Sequence, residues 1–460
     1  MTMSRSAVLR VLWGLSLSAA FLQMPARPAF AGSFVIDDVT VIDATGKPAQ
    51  GHMRVTVEGN RIIGVGPAAG QALPAGAVRI DGAGKFLIPG LWDMHVHLVD
   101  IDEPAIPILP YYGITSVRDM GGDLAKVQGW RTQIEKGELV GPRIKACGPM
   151  LEGKWDARFG QRTDHVVVAN PEEARATVNR LADQGADCIK MRTYASPETY
   201  FALAATAKAR HLPFVGHAPW GVEPIDASNA GQASFEHAYY PWPWADLPAE
   251  KRLAIEETFR KNSSLVDPTL IAWESFRFPE AVIAAVVNDV AAKTDPRQRY
   301  ISAALRRNWI SGLADMREQG PGTPGWGKAI DQVYEQVAEM HDHGVGILAG
   351  TDSGATMVYP GASLHQELKL LVAKCRFTPM DAILTATIVP AKQFHMEDRL
   401  GTIESGKLAD LVLLAEDPLQ DIANIQQIAG VMLNGKWMDR AALDALATGV
   451  ERRVAAESQK

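Results

Sequence analysis

The chain has 460 residues, of which 47% are hydrophobic and 22% are charged. This balance is typical of a soluble globular protein and excludes a disordered chain or a multi-span membrane protein. The formal charge is −7 and no block of Lys and Arg occurs, so nucleic acid is not an expected partner, because its phosphates would be repelled. A chain of this length accommodates one large barrel or two ordinary domains.

The first 31 residues have the pattern of a cleavable secretory signal. Two arginines flank the start of the apolar run Val8–Leu22, and the small residues Ala29 and Ala31 stand where a signal peptidase would cut. The alternative is an uncleaved anchor helix, for which the run is short. We therefore expect a periplasmic or secreted protein without a membrane span after cleavage at Ala31. Its formal charge would be −10, because the signal carries three arginines and no acidic residue.

The three cysteines, Cys147, Cys188 and Cys375, are widely separated and odd in number. Export would permit a disulfide, but the spacing matches no regular disulfide framework and no Cys-x-x-Cys metal motif. We therefore expect small buried residues rather than a bridge.

The two ends of the chain are both rich in short β-type runs. Between residues 34 and 88 these runs alternate with turn signals such as Glu58-Gly59-Asn60, which predicts an antiparallel sheet. Neither end is large enough for a core of its own. Residues 32–88 and 398–445 are therefore predicted to form one small β-sandwich domain.

Between them, over residues 89–397, buried strands alternate with amphipathic helices such as the one predicted from Pro171 to Gln184. Eight strands with helical crossovers predict an α/β fold, a (β/α)8 TIM barrel. The predicted strands are the one that carries His95 and those at residues 116–118, 143–146, 188–190, 214–217, 233–237, 264–267 and 346–350.

The interval between the seventh and eighth predicted strands is much longer than one crossover helix. It predicts a helical insertion around residues 271–343, which we expect to act as a lid over the barrel mouth. A contact between subunits of a homo-oligomer is the alternative.

Side chains that bind metals stand at the ends of several predicted strands. His95 and His97 share one face, because alternate residues of a strand point the same way. In a TIM barrel the carboxyl ends of the strands meet at one mouth, and imidazole nitrogens and carboxylate oxygens suit Zn²⁺ and similar ions. The pattern therefore predicts a metal site. The full set is His95, His97, Lys190, His217, His237 and Asp352.

Lys190 is unusual in such a set, because an ammonium group repels a metal ion. A buried lysine can instead lose its proton. Its amine could then react with carbon dioxide to give a carbamate, an anion whose two oxygens can bridge two cations. A lysine in an ordinary salt bridge is the alternative.

Several segments together resemble the amidohydrolase superfamily, most of all its prolidase-like and imidazolonepropionase-like branch. The resemblance extends over about residues 34–440. The segments that carry it are Ile88-Pro89-Gly90-Leu91-Trp92-Asp93-Met94-His95-Val96-His97, Gly185-Ala186-Asp187-Cys188-Ile189-Lys190, His217 with His237 twenty residues later, Ala349-Gly350-Thr351-Asp352-Ser353-Gly354 and Gly406-Lys407-Leu408-Ala409-Asp410-Leu411-Val412.

This resemblance implies a hydrolase with two divalent metal ions, expected to be zinc, and a carbamylated lysine. His95, His97 and Asp352 would hold the more buried ion. His217 and His237 would hold the exposed ion, and Lys190 would bridge both together with a hydroxide. Asp352 would act as the catalytic base and then as the acid, taking the proton of the attacking hydroxide and passing it to the leaving nitrogen.

Residues next to these ligands are predicted to contact the substrate. Arg192 and the neighbouring tyrosines could bind a carboxylate, and the tryptophans could form an apolar wall. Packing of the loops on the barrel rim is the alternative. The predicted substrate contacts are Trp155, Arg192, Tyr194, Trp220 and Tyr239.

Two departures bear on the substrate. Prolidase-like relatives tend to carry additional histidines after the third strand and two residues past the strand-five histidine, where this chain has residues 153–158 and Pro219.

The predicted reaction is cleavage of a small amide, namely an N-acyl amino acid, a dipeptide or a related compound. A lactone, ester or cyclic amide is an alternative substrate. A mononuclear deaminase would require Glu at the position of Trp220, and a binding protein without catalysis would not need all six metal-site residues.

Overall fold

The computed structural model describes residues 32–70, 73–153, 165–238 and 244–457. Within these ranges, no helix combines the length and the apolar character needed to cross a membrane. The predicted signal segment lies outside the described residues, as do the predicted substrate contacts Trp155 and Tyr239.

The two ends of the chain join in one eight-stranded sheet. Its strands are β1 Ser33–Val41, β2 Gln50–Glu58, β3 Arg61–Pro67, β4 Val78–Asp81, β5 Phe86–Pro89, β15 Leu411–Leu414, β16 Ile428–Leu433 and β17 Lys436–Asp439. Their order is β17-β16-β15-β5-β1-β2-β3, with β4 also paired to β1. The antiparallel pairing of β5 with β15 connects the N-terminal and C-terminal segments.

The prediction of a purely antiparallel sheet is wrong for part of this region. Both β4 and β5 run parallel to β1, beside its first and second halves respectively. The chain turns between them, and Gly82 donates its N–H to the carbonyl of Asp37 over 2.8 Å. Alternate residues of these strands, such as Val55 and Val57 on β2, point into a hydrophobic cluster of their own.

The central part of the chain is α/β, with parallel strands as predicted. Its strands are β6 Leu91–Val96, β7 Ile114–Asp119, β8 Arg143–Ala146, β9 Met150–Glu152, β10 His165–Val167, β11 Ile189–Met191, β12 Phe214–Gly216, β13 Gln232–Glu236 and β14 Leu265–Asp267. One sheet has the order β6-β7-β8 and another the order β10-β9-β11-β12-β13-β14.

Backbone hydrogen bonds link the ends of these two sheets. The N–H of Asp187 donates to Ala146 at the end of β8, and that of Leu348 donates to Val266 in β14. Residues 346–353 also bond to β6, through the N–H of Met94 and the carbonyl of Ala349. The predicted eighth strand therefore has an isolated bridge at Ile347 rather than a regular ladder.

Fifteen α-helices lie within the described residues. They are α1 Leu98–Ile101, α2 Ile108–Tyr111, α3 Leu124–Lys136, α4 Pro171–Asp183, α5 Pro197–Ala209, α6 Pro224–Asn229, α7 Ala249–Asn262, α8 Leu270–Glu274, α9 Glu280–Val287, α10 Ala303–Gln319, α11 Pro324–Asp342, α12 Ala362–Lys374, α13 Pro379–Thr385, α14 Ile388–Gln393 and α15 Arg440–Glu457. The start of α4 illustrates the local rules: Asn170 caps it by accepting two backbone N–H groups, and Pro171 occupies the first position.

The region predicted as an insertion contains α8 to α11. Residues of α9 and α10, including Ile283, Leu305 and Trp309, form a separate hydrophobic cluster. By contrast, α11 buries Ile330 and Val337 in the main core. The region is therefore packed in two ways, with α9 and α10 in a cluster of their own and α11 on the main core.

The prediction that the cysteines are unbonded is wrong for two of them. Cys147 and Cys188 form a disulfide, whereas Cys375 is free and buried. The first follows β8 and the second precedes β11, at the point where the N–H of Asp187 donates to the carbonyl of Ala146. Sequence spacing does not reveal this contact, but the predicted strand order places the two cysteines on neighbouring strands.

Candidate metal centre

All six predicted metal ligands line one cavity of about 530 Å³. Each lies near the carboxyl end of a strand or of the extended segment 346–350, which brings their side chains to the same mouth. His95 lies in β6 and His97 directly after it, Lys190 lies in β11, His217 and His237 follow β12 and β13, and Asp352 follows the extended segment 346–350.

His95, His97 and Asp352 form the first group of the centre. Nε2 of His97 lies 3.2 Å from Oδ1 of Asp352, and Nε2 of His95 lies 3.5 Å from the same oxygen. One donor atom from each residue lies within 4.8 Å of the others. This spacing suits three ligands of one ion.

His217 and His237 form the second group, next to the first. Their ring centroids are 5.1 Å apart, and that of His237 is 4.7 Å from the ring of His95. His237 and Asp352 both have left-handed backbone conformations, with φ of 63° and 59°. Non-glycine residues in this region cost on the order of 1–3 kcal/mol and cluster at functional sites.

Lys190 lies between these groups and is buried. Burial lowers the pKa of its ammonium to about 8, although the carboxylates of Glu236 and Asp352 oppose this shift. At pH 7 a pKa of about 8 leaves roughly a tenth of the side chain as the uncharged amine. This is the form that a reaction with carbon dioxide needs.

A buried carboxylate fixes the orientation of His95. Nδ1 of His95 lies 3.1 Å from Oε2 of Glu236, so its other nitrogen faces the cavity. The guanidinium of Arg118, also buried, donates to the same oxygen over 2.9 Å and to Asp267 over 3.2 Å. A carboxylate bonded to the rear nitrogen of a histidine fixes its tautomer and makes it a better ligand.

For His217 and His237, threonine hydroxyls contact the rear nitrogen of the ring, as Glu236 does for His95. Nδ1 of His217 lies 3.1 Å from Oγ1 of Thr193, and Nδ1 of His237 lies 2.7 Å from Oγ1 of Thr269. Glu152 in turn accepts the backbone N–H of Thr193 over 3.1 Å, which holds that loop in place. In each ring the threonine bonds Nδ1, so Nε2 is the nitrogen that faces the centre.

The protonation states fit a metal site. Burial lowers the pKa of His95 and His217 well below the usual value for imidazole and that of His237 to about 4. These rings are therefore neutral near pH 7, which is the form that binds metal.

The close contact between His97 and Asp352 favours a protonated imidazole beside an ionised carboxylate. Burial alone would lower the pKa of His97 and raise that of Asp352. The hydrogen bond and attraction of Asp352 raise the pKa of His97, and contacts with the imidazoles of His95 and His97 hold the pKa of Asp352 well below its usual value. The donor set and its electrostatics thus fit divalent ions.

The loop that carries Asp352 is held by a second buried carboxylate. Asp93 accepts the N–H of Thr351 over 3.0 Å and its hydroxyl over 2.7 Å. Burial raises the pKa of Asp93 to about 7. These bonds position the neighbouring Asp352 over the histidines of β6.

A model of the amidohydrolase family matches residues 111–438, which is more than half of the chain. The chain belongs to the amidohydrolase family. The resemblance found in its motifs is thereby confirmed.

Two relatives match most of this amidohydrolase. A 5-methylthioadenosine/S-adenosylhomocysteine deaminase of Symbiobacterium thermophilum is 24% identical over 417 residues, covering 84% of this chain and 86% of that protein. An imidazolonepropionase of Fusobacterium nucleatum is 21% identical over 395 residues, covering 82% and 87%.

Solved structures show the same fold. A protein of Bifidobacterium longum described as a prolidase candidate is 26% identical, with a TM-score of 0.71 over 91% of this chain and 99% of that one. A Xaa-Pro dipeptidase with methionine bound in its active site is 22% identical, with a TM-score of 0.67 over 89% and 100%. The parallel strands of the amidohydrolase fit the TIM-barrel type. The family and these relatives make it a hydrolase of carbon–nitrogen bonds.

Of the predicted substrate contacts that the structure describes, one lines the cavity and two do not. Arg192 lines the cavity and donates to Nε2 of His165 over 2.9 Å. Tyr194 and Trp220 are 47% and 54% exposed and do not belong to the cavity wall that the described residues form. Their contact with substrate stays a prediction, as it does for Trp155 and Tyr239.

Sequence reasoning missed the residues that hold the ligands in place. Glu236 directly precedes His237, and Thr269 stands two residues after the end of β14, so both occupy strand-end positions. That placement was a usable signal. Thr193 and Glu152 carried none, because their role depends on how two loops fold together.

Helices of the inserted region form the outer wall of the cavity. Trp273 from α8, Phe276 from the following turn and Trp326 from α11 line it, together with one side of α10. That these helices act as a lid over the mouth stays a prediction.

Proposed function

We propose that this amidohydrolase binds two divalent metal ions and cleaves the C–N bond of a small amide, such as an N-acyl amino acid, a dipeptide or a related compound. The observation that carries this proposal is the convergence of six side chains from five separate segments on one cavity. Two of these side chains are backed by threonine hydroxyls and one by a carboxylate, which is how proteins orient metal ligands.

His95, His97 and Asp352 would hold one ion, and His217 and His237 the other. Lys190, as a carbamate, would contribute to both, and zinc is the expected metal because the donors are nitrogen and oxygen. When bound, such ions supply a Lewis acid and lower the pKa of water toward 7.

Asp352 is the proposed catalytic base and acid. Its Oδ1 is close to the Nε2 atoms of His95 and His97, and its low pKa keeps it ionised at neutral pH. It would accept the proton of the attacking water and deliver it to the leaving nitrogen. On the opposite side of the centre, Arg192 would bind a carboxylate of the substrate.

The proposed architecture is a closed (β/α)8 barrel beside a small β-sandwich, and the proposed location is the periplasm or the exterior of the cell. The disulfide between Cys147 and Cys188 supports export, since disulfides persist in oxidising compartments.

A deaminase is the second candidate, because a deaminase of Symbiobacterium thermophilum is similar over 84% of the chain. The two readings predict different products. A deaminase releases ammonia from an exocyclic amine, whereas an amide hydrolase releases a carboxylic acid together with a substituted amine.

One screen tests both. Zinc-loaded protein is offered N-acyl amino acids, dipeptides, aminopurines and lactones, with Asp352→Asn as the matched inactive control. The proposal expects turnover of amides that the variant loses. Ammonia from aminopurines without amide turnover would support the deaminase instead, and lactone turnover alone would contradict the amide assignment.

A further inference from the structure

One face of α10 lines the cavity. Asn308, Gly312, Asp315 and Gln319 stand at spacings of four, three and four residues, which is the repeat of one helix face. The helix is anchored at the cavity mouth, since Nδ2 of Asn308 donates to the carbonyl of Gly354 over 2.8 Å. A polar stripe of the inserted region is thereby fixed opposite the metal-binding residues.

Three aromatic rings continue this wall. Phe276 and Trp326 stack with centroids 4.3 Å apart, and Trp273 lies 6.3 Å from Trp326. The two indole N–H groups bond the metal-binding side and α10. Nε1 of Trp273 donates to the carbonyl of His237, and Nε1 of Trp326 donates to that of Gln319. The rings therefore reach from the metal centre to α10.

Asp315 supplies an anion at the end of this wall. Its carboxylate is exposed to the cavity and makes no hydrogen bond or ion pair with another residue in the described part of the chain. Some other acids of the region are paired with arginines, as Glu280 is with Arg317 and Glu274 with Arg277. Gln319, whose carbonyl holds Trp326, lies one helical turn from Asp315, so the carboxylate and the rings are neighbours.

The cavity wall therefore carries charges of opposite sign, with the guanidinium of Arg192 at one position and the carboxylate of Asp315 at another. Arg192 follows the fourth strand of the predicted barrel, whereas α10 is anchored at Gly354, after the segment that closes against the first strand. These positions lie on opposite sides of a barrel mouth. Asp100 adds negative charge on the side of Gly354, because its Oδ2 lies 3.3 Å from where a Cβ on Gly354 would be.

We propose that Asp315, with Trp273, Phe276 and Trp326, forms a subsite for a positively charged amine on the acyl side of the scissile amide. A carboxylate pairs with an ammonium, and aromatic faces attract the same group. The subsite rests on the proposed amide hydrolysis, and it selects amides with an amine at one end and a carboxylate at the Arg192 end.

Two probes of equal length test this subsite. In 6-aminohexanoyl-leucine and heptanoyl-leucine the scissile bond is the same, and only the terminal ammonium differs from a methyl group. The wild type should favour the cationic probe in kcat/KM by about three- to tenfold at low salt. Asp315→Asn should abolish this preference by lowering kcat/KM for the cationic probe by the same three- to tenfold. Glu318→Gln removes a charge from the same helix outside the cavity and should preserve the preference.

Binding to Asp352→Asn, measured by calorimetry, separates the two proposals. If that variant binds the cationic probe more tightly and the preference disappears with Asp315→Asn, the subsite stands even when the wild type hydrolyses neither probe. In that case the amide hydrolysis is wrong. Equal binding of the two probes, or a preference that survives Asp315→Asn, overturns the subsite whatever the turnover.

Discussion

The floor and the roof of the cavity are built in different ways. The floor consists of His95, His97, Lys190, His217, His237 and Asp352, and the roof of α8, the turn at residues 275–277, α10 and the start of α11. Floor residues stand at the ends of buried strands, and several are oriented by buried groups such as Glu236 and Asp93. In the roof, α10 packs in a hydrophobic cluster separate from the main core, and Asn308 bonds the carbonyl of Gly354, two residues from Asp352.

Because of this difference, we expect the floor to carry out the reaction and the roof to select the substrate. A side chain fixed by several buried hydrogen bonds cannot move without breaking them, so the floor is suited to hold ions in a set geometry. The roof carries exposed and half-buried groups, such as Asp315 and Trp326, that can be replaced at little structural cost. We expect floor substitutions to abolish turnover and roof substitutions to change which amide is preferred.

The largest effect is expected at the floor, for Asp352→Asn. The variant removes the group that moves the proton but keeps an oxygen for the metal, so kcat should fall by roughly 10²- to 10⁴-fold. The metal content should remain close to that of the wild type. Steady-state kinetics together with elemental analysis measure both quantities, and a wild-type rate in the variant would refute the role of Asp352.

A smaller effect is expected from a residue that supports the floor, in Thr269→Val. The substitution keeps the shape of the side chain but removes the hydroxyl that lies 2.7 Å from Nδ1 of His237. The dissociation constant of one of two ions should rise by about 10- to 100-fold. Competition with a chelator measures it. Thr258→Val is the control, because its hydroxyl only bonds its own helix at Ala254, and equal effects of the two would contradict the role of Thr269.

At the roof, Gly312→Ala should act through packing. A Cβ at this position would lie 2.3 Å from Oγ1 of Thr356, which itself bonds Trp309. We expect a loss of about 1–3 kcal/mol in the free energy of unfolding and an altered preference among amides, with normal metal content. The double variant with Thr356→Ala should recover part of the stability.

Gly449→Ala is the matched control for this substitution, because a Cβ there would meet no atom within 4 Å. It should be neutral or slightly stabilising in its helix. A loss of metal in Gly312→Ala would show that the roof and the floor are coupled, against the separation described above.

The smallest effect concerns the terminal sheet, which belongs to neither the floor nor the roof. The hydrogen bond from Arg54, over 2.7 Å, holds the pKa of Asp37 below its usual value of 3.8. This ion pair stabilises the fold above the unfolded pKa, and its contribution is lost as the pH falls below about 3.8. Asp37→Asn should therefore be less stable than the wild type at pH 7, with a difference that shrinks in acid. Urea unfolding at both pH values measures this, and a constant difference would contradict it.

The sequence predicts the floor better than the roof. His95 and His97 could be placed together because strand periodicity puts them on one face, and the other floor residues because strand ends meet at one mouth. The position of Asp315 could not be predicted, since it depends on how α10 packs against residues far away in the chain. The same holds for Thr193, whose hydroxyl reaches His217 only through a loop that Glu152 holds.

Two features of the fold escaped prediction for different reasons. The disulfide between Cys147 and Cys188 follows from strand order, which the sequence did indicate, but the cysteines were judged by spacing along the chain. The terminal helix α15 buries Leu443, Val450 and Val454 against the rest of the fold. Its buried residues recur at the i, i+4, i+7, i+11 spacing of one helix face, so its sequence pattern did carry this signal.

The number of metal ions per chain tests the proposed centre most directly. Purified protein is reconstituted with zinc and bicarbonate, loosely bound metal is removed, and the content is measured by elemental analysis together with the protein mass. The proposal predicts about two ions per chain and a mass increase that matches one carbamate on Lys190. One ion per chain, or none, after full reconstitution would contradict it.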